Sequence, residues 1–521
     1  MRAIVLCLYF SALVKKVKKN KLCLDLPPVA NLNVPFTYKG LLGIIYMVTL
    51  MVGTFIFGYI LIAIEHKIQI NKAAVAVTLG MLLWVMYIYA GNSLIMGVNS
   101  DAFKQFLSVN PEYASLPIGK QCIKFISESQ IIHYLGEQVQ IIFYLIGAMT
   151  IVELVDVHGG FTCITDRIKT RNKRKLLWII SFFTFFMSAI LDNLTTAILI
   201  TMLLRKLINV KKERWIFCGM VILAANSGGA WTPTGDVTTI MLWINENVTT
   251  GALITQLFLP SLVSMLVPLV ILTFFLDGSD TEEPAMHGKS STSYITPAER
   301  TTIFILGIAG LIFIPIFKAI TGLPPFIGVM LALGAIWIFM EILYDRRTDI
   351  PRAQQHRIGD VFARIDLSTI LFFLGILMAV SALQAVGVLS EVSKFLDEEV
   401  HNIYVINTII GLLSSIVDNV PLVAGAMGMY DIPTQAQVLA SAEPAYLAHY
   451  AQDGAFWQLL AYCAGVGGSI LIIGSAAGVV VMGIEKITFS WYLKYISLLA
   501  LIGYFAGIAA YIFQSAIISA F

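Results

Sequence analysis

Leu176-Leu-Trp-Ile-Ile-Ser-Phe-Phe-Thr-Phe-Phe-Met-Ser-Ala-Ile-Leu-Asp192-Asn193-Leu-Thr-Thr-Ala-Ile-Leu-Ile-Thr-Met-Leu-Leu204 is apolar except for hydroxyls and one Asp-Asn pair. Arg167, Lys169, Arg171, Lys173, Arg174 and Lys175 precede it, and Arg205, Lys206, Lys211, Lys212 and Arg214 follow. The positive-inside rule assigns both flanks to the cytoplasmic side. The arm from Leu194 to Leu204 gives roughly 17 Å of helix against a hydrocarbon core of about 30 Å, so it cannot cross. The segment is therefore expected to enter, turn at Asp192-Asn193 and leave on the same side as a re-entrant hairpin.

The rest of the chain fits a membrane setting. Of 521 residues 58% are hydrophobic and 13% charged, with mean hydropathy +0.82, whereas soluble domains carry about 25% charged residues. A net charge of +2, with the basic residues in loops, excludes nucleic acid as a partner. Cys7, Cys23, Cys122, Cys163, Cys218 and Cys463 lie far apart and read as packing residues.

Spans are expected at Leu41 to Ile64, Ala73 to Ala90, Val139 to Val157, Trp215 to Trp243 and Leu253 to Leu276, with the hairpin between the third and fourth. The order then repeats: Thr302 to Lys318, Phe326 to Tyr344, Ser368 to Leu389, a hairpin at Ile403 to Tyr430, Tyr462 to Gly483 and Trp491 to Phe513. Gly147 to Gly159 aligns on Gly375 to Gly387, Ser188 to Asn193 on Ser414 to Asn419, and Gly228, Gly229 and Gly235 on Gly467, Gly468 and Gly474. An odd number of crossings per half inverts the second copy. The acids Glu391, Asp397, Glu398, Glu399, Asp431, Glu443 and Asp453 around the second hairpin agree with entry from outside, and Arg346, Arg347, Arg352, Arg357 and Arg364 mark a cytoplasmic loop. Lys15 to Lys21 fall outside in this topology, against the rule.

The expected fold is an all-α polytopic membrane protein: an inverted repeat of about ten transmembrane helices, two re-entrant Asp-Asn hairpins and two broken helices. Its parts are an N-terminal segment 1–40 without an assigned role, a first repeat 41–276, a cytoplasmic linker 277–301 and a second repeat 302–521.

Within Trp215 to Trp243, glycines and Pro233 interrupt the helix. Backbone groups freed inside a membrane are tolerated only where protein or a cavity satisfies them, so such breaks line sites. Asn226, Thr234, Asp236, Thr238 and Thr239 offer oxygen there, as hard cations prefer. The matching stretch of the second half offers only Ser469 and Ser475, and Asp236 aligns with Ser475. The tips add Asp192, Asn193, Asp418 and Asn419, which could simply cap helices, although ionisable groups in hydrocarbon mark ion or proton paths. A buried carboxylate without a basic neighbour takes up a proton or a cation, and that competition is itself an exchange mechanism. Glu153, Asp156 and His158 end one span and are candidates for a proton path or pH sensing, with solvation of the membrane boundary as the plain alternative. Glu65 reads as a boundary residue, and Trp84, Trp178, Trp243 and Trp491 as interfacial aromatics.

The strings Gly147-Ala-Met-Thr-Ile-Val-Glu-Leu-Val-Asp-Val-His-Gly-Gly160, Leu191-Asp-Asn-Leu-Thr-Thr196, Ala225-Asn-Ser-Gly-Gly-Ala-Trp-Thr-Pro-Thr-Gly-Asp236 and Val417-Asp-Asn-Val-Pro421 resemble NhaD-type sodium/proton antiporters of the ion-transporter superfamily. The resemblance runs from about Leu41 to Phe513. It implies Na⁺ or Li⁺ exchange for H⁺ by alternating access, with no cofactor, and with Asp192, Asn193, Asn226, Asp236, Thr238, Thr239, Ser414 and Asn419 on the ion site or path. Sodium or lithium would sit at Asp192, Asn193, Asn226 and Asp236. The implied partners are the lipid bilayer, monovalent cations and a second copy in a homodimer; the implied location is a bacterial inner membrane, with the chloroplast envelope as the other setting. Two alternatives compete: a sodium-coupled anion permease on the same fold, and an intramembrane aspartyl protease, which would not account for the second hairpin.

Overall fold

The computed structural model describes residues 38–63, 65–161, 170–276, 278–280, 295–347, 349–352, 355–416 and 418–520. The N-terminal lysines, Cys7, Cys23, Cys163 and most of the linker 277–301 lie outside the described residues. Apolar chain in a bilayer must satisfy its own backbone, and here it does so as helix. In chain order these are α1 (Tyr38–Ala63), α2 (Lys72–Val98), α3 (Ser100–Val109), α4 (Ile118–Lys124), α5 (Ile131–Val157), α6 (Lys173–Ser188), α7 (Asn193–Leu207), α8 (Lys211–Gly229), α9 (Val237–Ile244) and α10 (Thr250–Phe275). There follow α11 (Pro297–Thr321), α12 (Pro325–Arg346), α13 (Leu367–Ala385), α14 (Val388–Glu399), α15 (Ile403–Ser414), α16 (Asn419–Met429), α17 (Ala455–Gly467), α18 (Ala476–Glu485), α19 (Phe489–Tyr495) and α20 (Ser497–Ala520).

Among the described residues seven helical stretches are long and apolar enough to cross a membrane, or eight if α18 and α19, bent by 114°, count as one. That is fewer than the ten expected, because the apolar stretch of α1 is short and the glycine breaks divide two expected spans into short helices. Helix ends follow local chemistry. A Thr296/Glu299 capping box and Pro297 start α11, and Gly322 at φ +69° ends it. The stretch from Ser100 to Gln130, between the second and third expected spans, is largely helical, with Asn99, Asn110 and Pro117 dividing it into short pieces.

The chain forms two compact units, one holding residues up to Gly136 with Leu371–Leu389, the other Glu137–Ile370 with Ser390–Phe521. In the first, α2 and α13 cross where a Cβ on Gly80 would strike the carbonyl of Gly375. Trp84 Nε1 donates to Met378 O (3.0 Å) and Asn99 Nδ2 to Ala385 O (2.8 Å), tying the same two helices. Trp84 is therefore a buried packing residue and not part of an interfacial belt; Trp243, also buried, lies beneath Lys318 Nζ at 4.9 Å from the ring centroid.

In the second unit, α8 is buried from Phe217 onward and α17 from Phe456 onward. Each packs against the arm before an Asp-Asn turn, and the contacts recur between the halves. A Cβ on Gly228 would strike Phe185 O, and one on its counterpart Gly467 would strike Gly411 O. Ser188 Oγ donates to Ala225 O (2.6 Å), and Ser414 Oγ to Ala464 O (2.7 Å). The glycines permit the approach, and the serines supply a buried hydrogen bond across it.

Candidate functional site

The site begins where α8 stops at Gly229 and α9 starts at Val237. The connection folds back so closely that a Cβ on Gly229 would strike Gly235 O. Thr232 Oγ1 and Thr234 Oγ1 donate to Ala189 O at 2.7 and 3.3 Å, and Asn193 N donates to Gly235 O at 2.9 Å, so the loop is fastened to the first Asp-Asn turn. Asp236 is the N-cap of α9: its Oδ1 accepts from Thr238 N (3.2 Å), and Thr239 Oγ1 donates to Asp236 O (2.8 Å).

The other carboxylate oxygen faces the turns. Asp236 Oδ2 accepts from Asn193 Nδ2 at 2.8 Å and from Asn419 Nδ2 at 3.3 Å, so the asparagines of both Asp-Asn pairs meet on one atom. Asn193 Nδ2 also donates to Asn226 Oδ1 (3.1 Å), and Asn226 Nδ2 donates onward to Ser469 Oγ (2.9 Å) and Ser475 Oγ (3.0 Å). All six side chains are buried. Among the described residues no Lys, Arg or His forms an ion pair with Asp236. Thr238 Oγ1, fully buried beside this carboxylate, has no hydrogen bond of normal geometry among the described residues. The result is an oxygen-rich centre with one buried carboxyl, at helix ends drawn from both halves.

Not every candidate residue lies in that centre. Asp192, held at φ +143°, turns its carboxylate to Thr195 N (2.7 Å) and Thr195 Oγ1 (2.8 Å) and caps α7. That backbone is unusual for a residue other than glycine and costs of order 1–3 kcal/mol, offset by the surrounding bonds. Asp418 Oδ1 accepts from Val420 N (3.3 Å) and caps α16. Thr234, Thr239 and Ser414 bond to backbone and hold the frame.

Glu153 and His158 find their partners outside this network. Glu153 Oε1 lies 3.8 Å from Arg364 Nη1, and Asp156 is exposed. His158 Nδ1 meets Leu154 O at 2.6 Å and must be the protonated nitrogen, so Nε2 accepts from Tyr344 Oη, also at 2.6 Å. Burial pushes the His158 pKa down to about 4, which keeps it neutral across ordinary pH.

One ionic cluster escapes a reading of motifs. Glu485, almost fully buried, accepts from Arg205 Nε and Arg214 Nε at 2.7 Å each, tying α7 and α8 to α18. Its signal was a lone acid at the end of an apolar run, which nothing in the linear sequence pairs with distant arginines.

The apolar spans define a multi-pass membrane protein, and its similarity to known chains makes it a transporter. Residues 59–451 match the family model described as citrate transporter. Sodium/proton antiporter 1 of Arabidopsis thaliana is 40% identical over 455 residues, 87% of this chain and 70% of that protein. Sodium/proton antiporter 2 of the same plant is 40% identical over 463 residues, 87% and 97%. The Na(+)/H(+) antiporter NhaD of Vibrio cholerae is 29% identical over 487 residues, 88% and 90%. The chain belongs to this citrate-transporter family, among relatives of the NhaD type.

Proposed function

We propose that this protein exchanges Na⁺ or Li⁺ for H⁺ across its membrane, with Asp236 taking the two ions in turn. The observation that carries the reading is Asp236 Oδ2, a buried carboxylate oxygen held by two neutral amides and no basic side chain among the described residues. Neutral donors orient the group without discharging it, so a proton or a cation must do so. Asn193, Asn226, Asn419, Ser469 and Ser475 position it, Thr238 adds an oxygen, and Asp192, Asp418, Thr234, Thr239 and Ser414 keep the turns in register. Glu153, beside Arg364, and exposed Asp156 serve the proton path, and His158 holds the end of α5 in place.

The two halves act as inverted repeats, with re-entrant hairpins at Asp192-Asn193 and Asp418-Asn419 and a site that opens alternately to either side. The setting is a membrane that sustains a proton or sodium gradient, a bacterial inner membrane or a chloroplast envelope, and two copies associate through lipid-facing scaffold helices. The family's description names a second reading, a citrate-type anion permease, which the relatives named sodium/proton antiporters do not favour. A carboxylate substrate would then face Asp236, like charge against like.

Proteoliposomes loaded with a pH dye decide between them. Na⁺ or Li⁺ added outside is expected to move protons, and Asp236→Asn, which preserves the helix cap, to reduce the signal to that of empty liposomes. Citrate uptake without cation-driven proton movement would overturn the proposal.

A further inference from the structure

Gly465 lies opposite Asp236, and its lack of a side chain is the notable feature. A Cβ built there would have as nearest neighbours Ala230 Cβ at 3.5 Å, Asp236 Oδ2 at 3.6 Å and Thr238 Oγ1 at 3.9 Å. These are ordinary contact distances, so sterics do not require glycine here, unlike at Gly467 two residues on, where a Cβ would strike Gly411 O. Gly465 also sits inside α17, where glycine is less favourable than alanine by about 1 kcal/mol. A residue that is neither sterically required nor favourable for its helix leaves an open volume, bounded by one carboxylate oxygen and one hydroxyl.

The other half shows what fills the equivalent volume. The alignment that pairs Gly228 with Gly467 and Gly235 with Gly474 pairs Gly465 with Asn226, Ala230 with Ser469, Asp236 with Ser475 and Thr238 with Ala477. Asn226 Nδ2 bonds to Ser469 Oγ and Ser475 Oγ, the counterparts of Ala230 and Asp236, which border the space at Gly465. In one half an amide occupies the pocket and its polar walls are satisfied. In the other the pocket is open, and Thr238 Oγ1, 0% exposed, has no hydrogen-bond partner of normal geometry among the described residues.

We propose that Gly465 keeps open a single cation pocket against Asp236 Oδ2 and Thr238 Oγ1, and that Asn226 plugs its symmetry counterpart, so that the paired halves hold one cation. Gly465 is thus a specificity-determining residue for a hard monovalent cation. A Ca²⁺-sized ion sits about 2.3–2.6 Å from its oxygen ligands, and Na⁺ is of that size. A methyl against both oxygens crowds such an ion and crowds the smaller Li⁺ less. This inference rests on the reading of Asp236 as the exchanging carboxylate.

The test uses the full-length protein in proteoliposomes and in detergent. Gly465→Ala is expected to fold as the wild type does and to raise the half-saturating Na⁺ concentration by about tenfold or more, the scale of one lost charged-group contact, with a smaller rise for Li⁺. Thr238→Val, which keeps the shape and removes the oxygen, is expected to weaken both cations. Each variant should also lose most of the Na⁺-induced rise in melting temperature, read against choline at equal ionic strength. Wild-type Na⁺ and Li⁺ dependence in folded Gly465→Ala, with Asp236→Asn inactive, overturns the pocket and leaves the antiport reading intact. If Gly465→Ala does not fold, the Thr238→Val result decides. Absence of any cation response in the wild type overturns the antiport reading itself.

Discussion

Asp236 and Ser475 cap the short helices after the two glycine breaks from almost the same backbone, φ −147° and ψ 148° against φ −137° and ψ 152°. Their surroundings differ. Asp236 Oδ2 draws in the asparagines of both turns, while Ser475 Oγ accepts from Asn226 and from Gly478 N. The frame of the two halves is thus repeated, and the charge is not. A duplicated scaffold supplies helix ends twice; under the proposed reading, a few side chains decide which of them receives the ion.

The comparison can be broken most severely by exchanging the caps. Asp236→Ser combined with Ser475→Asp keeps the number of carboxylates but sets the acid beside the Asn226 amide. We expect no cation-driven proton movement in liposomes, and recovered exchange would show the halves to be interchangeable. Next in size is Glu485→Ala, which leaves Arg205 and Arg214 without their shared anion. A loss of about 3 kcal/mol is expected, at the low end for a buried pair because Arg205 is half exposed. An unchanged melting temperature in detergent would show the triad to be dispensable.

Asn226→Ala should raise the half-saturating Na⁺ concentration about tenfold, since it removes buried bonds worth about 1 kcal/mol each. A wild-type dependence would mean that the amide does not shape the carboxylate site. Ser475→Ala removes a helix cap and should lower stability by about 1 kcal/mol while exchange continues; loss of transport in the folded variant would make Ser475 more than a positioning group. The smallest effect is expected at His158→Gln. With its pKa near 4, His158 carries no charge to lose between about pH 5 and 9, so the pH profile of transport should not move, and a shifted profile would return this residue to pH sensing.

Much of this frame was legible in the linear sequence because the repeat exposes it. The Asp-Asn pairs, the glycine breaks and the inequality of Asp236 and Ser475 all stand out as aligned letters. What could not be read was direction. Asp192 and Asn193 are neighbours, yet the carboxylate turns back to Thr195 and the amide turns toward Asp236, a choice made by a left-handed backbone that no motif encodes. Trp84 resembled a boundary aromatic because an indole suits both an interface and a core that offers it a carbonyl, here Met378 O. Glu485 was invisible for a different reason, since its partners lie on α7 and α8, far away in the chain.

The proposed one-plugged, one-open arrangement also bears on ancestry. Two identical copies of a single repeat, assembled head to tail, would carry asparagine at both positions or glycine at both. They would yield two plugged pockets or two open ones, never one of each. The division between Asn226 and Gly465 requires two copies that are free to diverge. Divergence between the copies, and not the frame they share, is what would give a symmetric shell an odd number of seats.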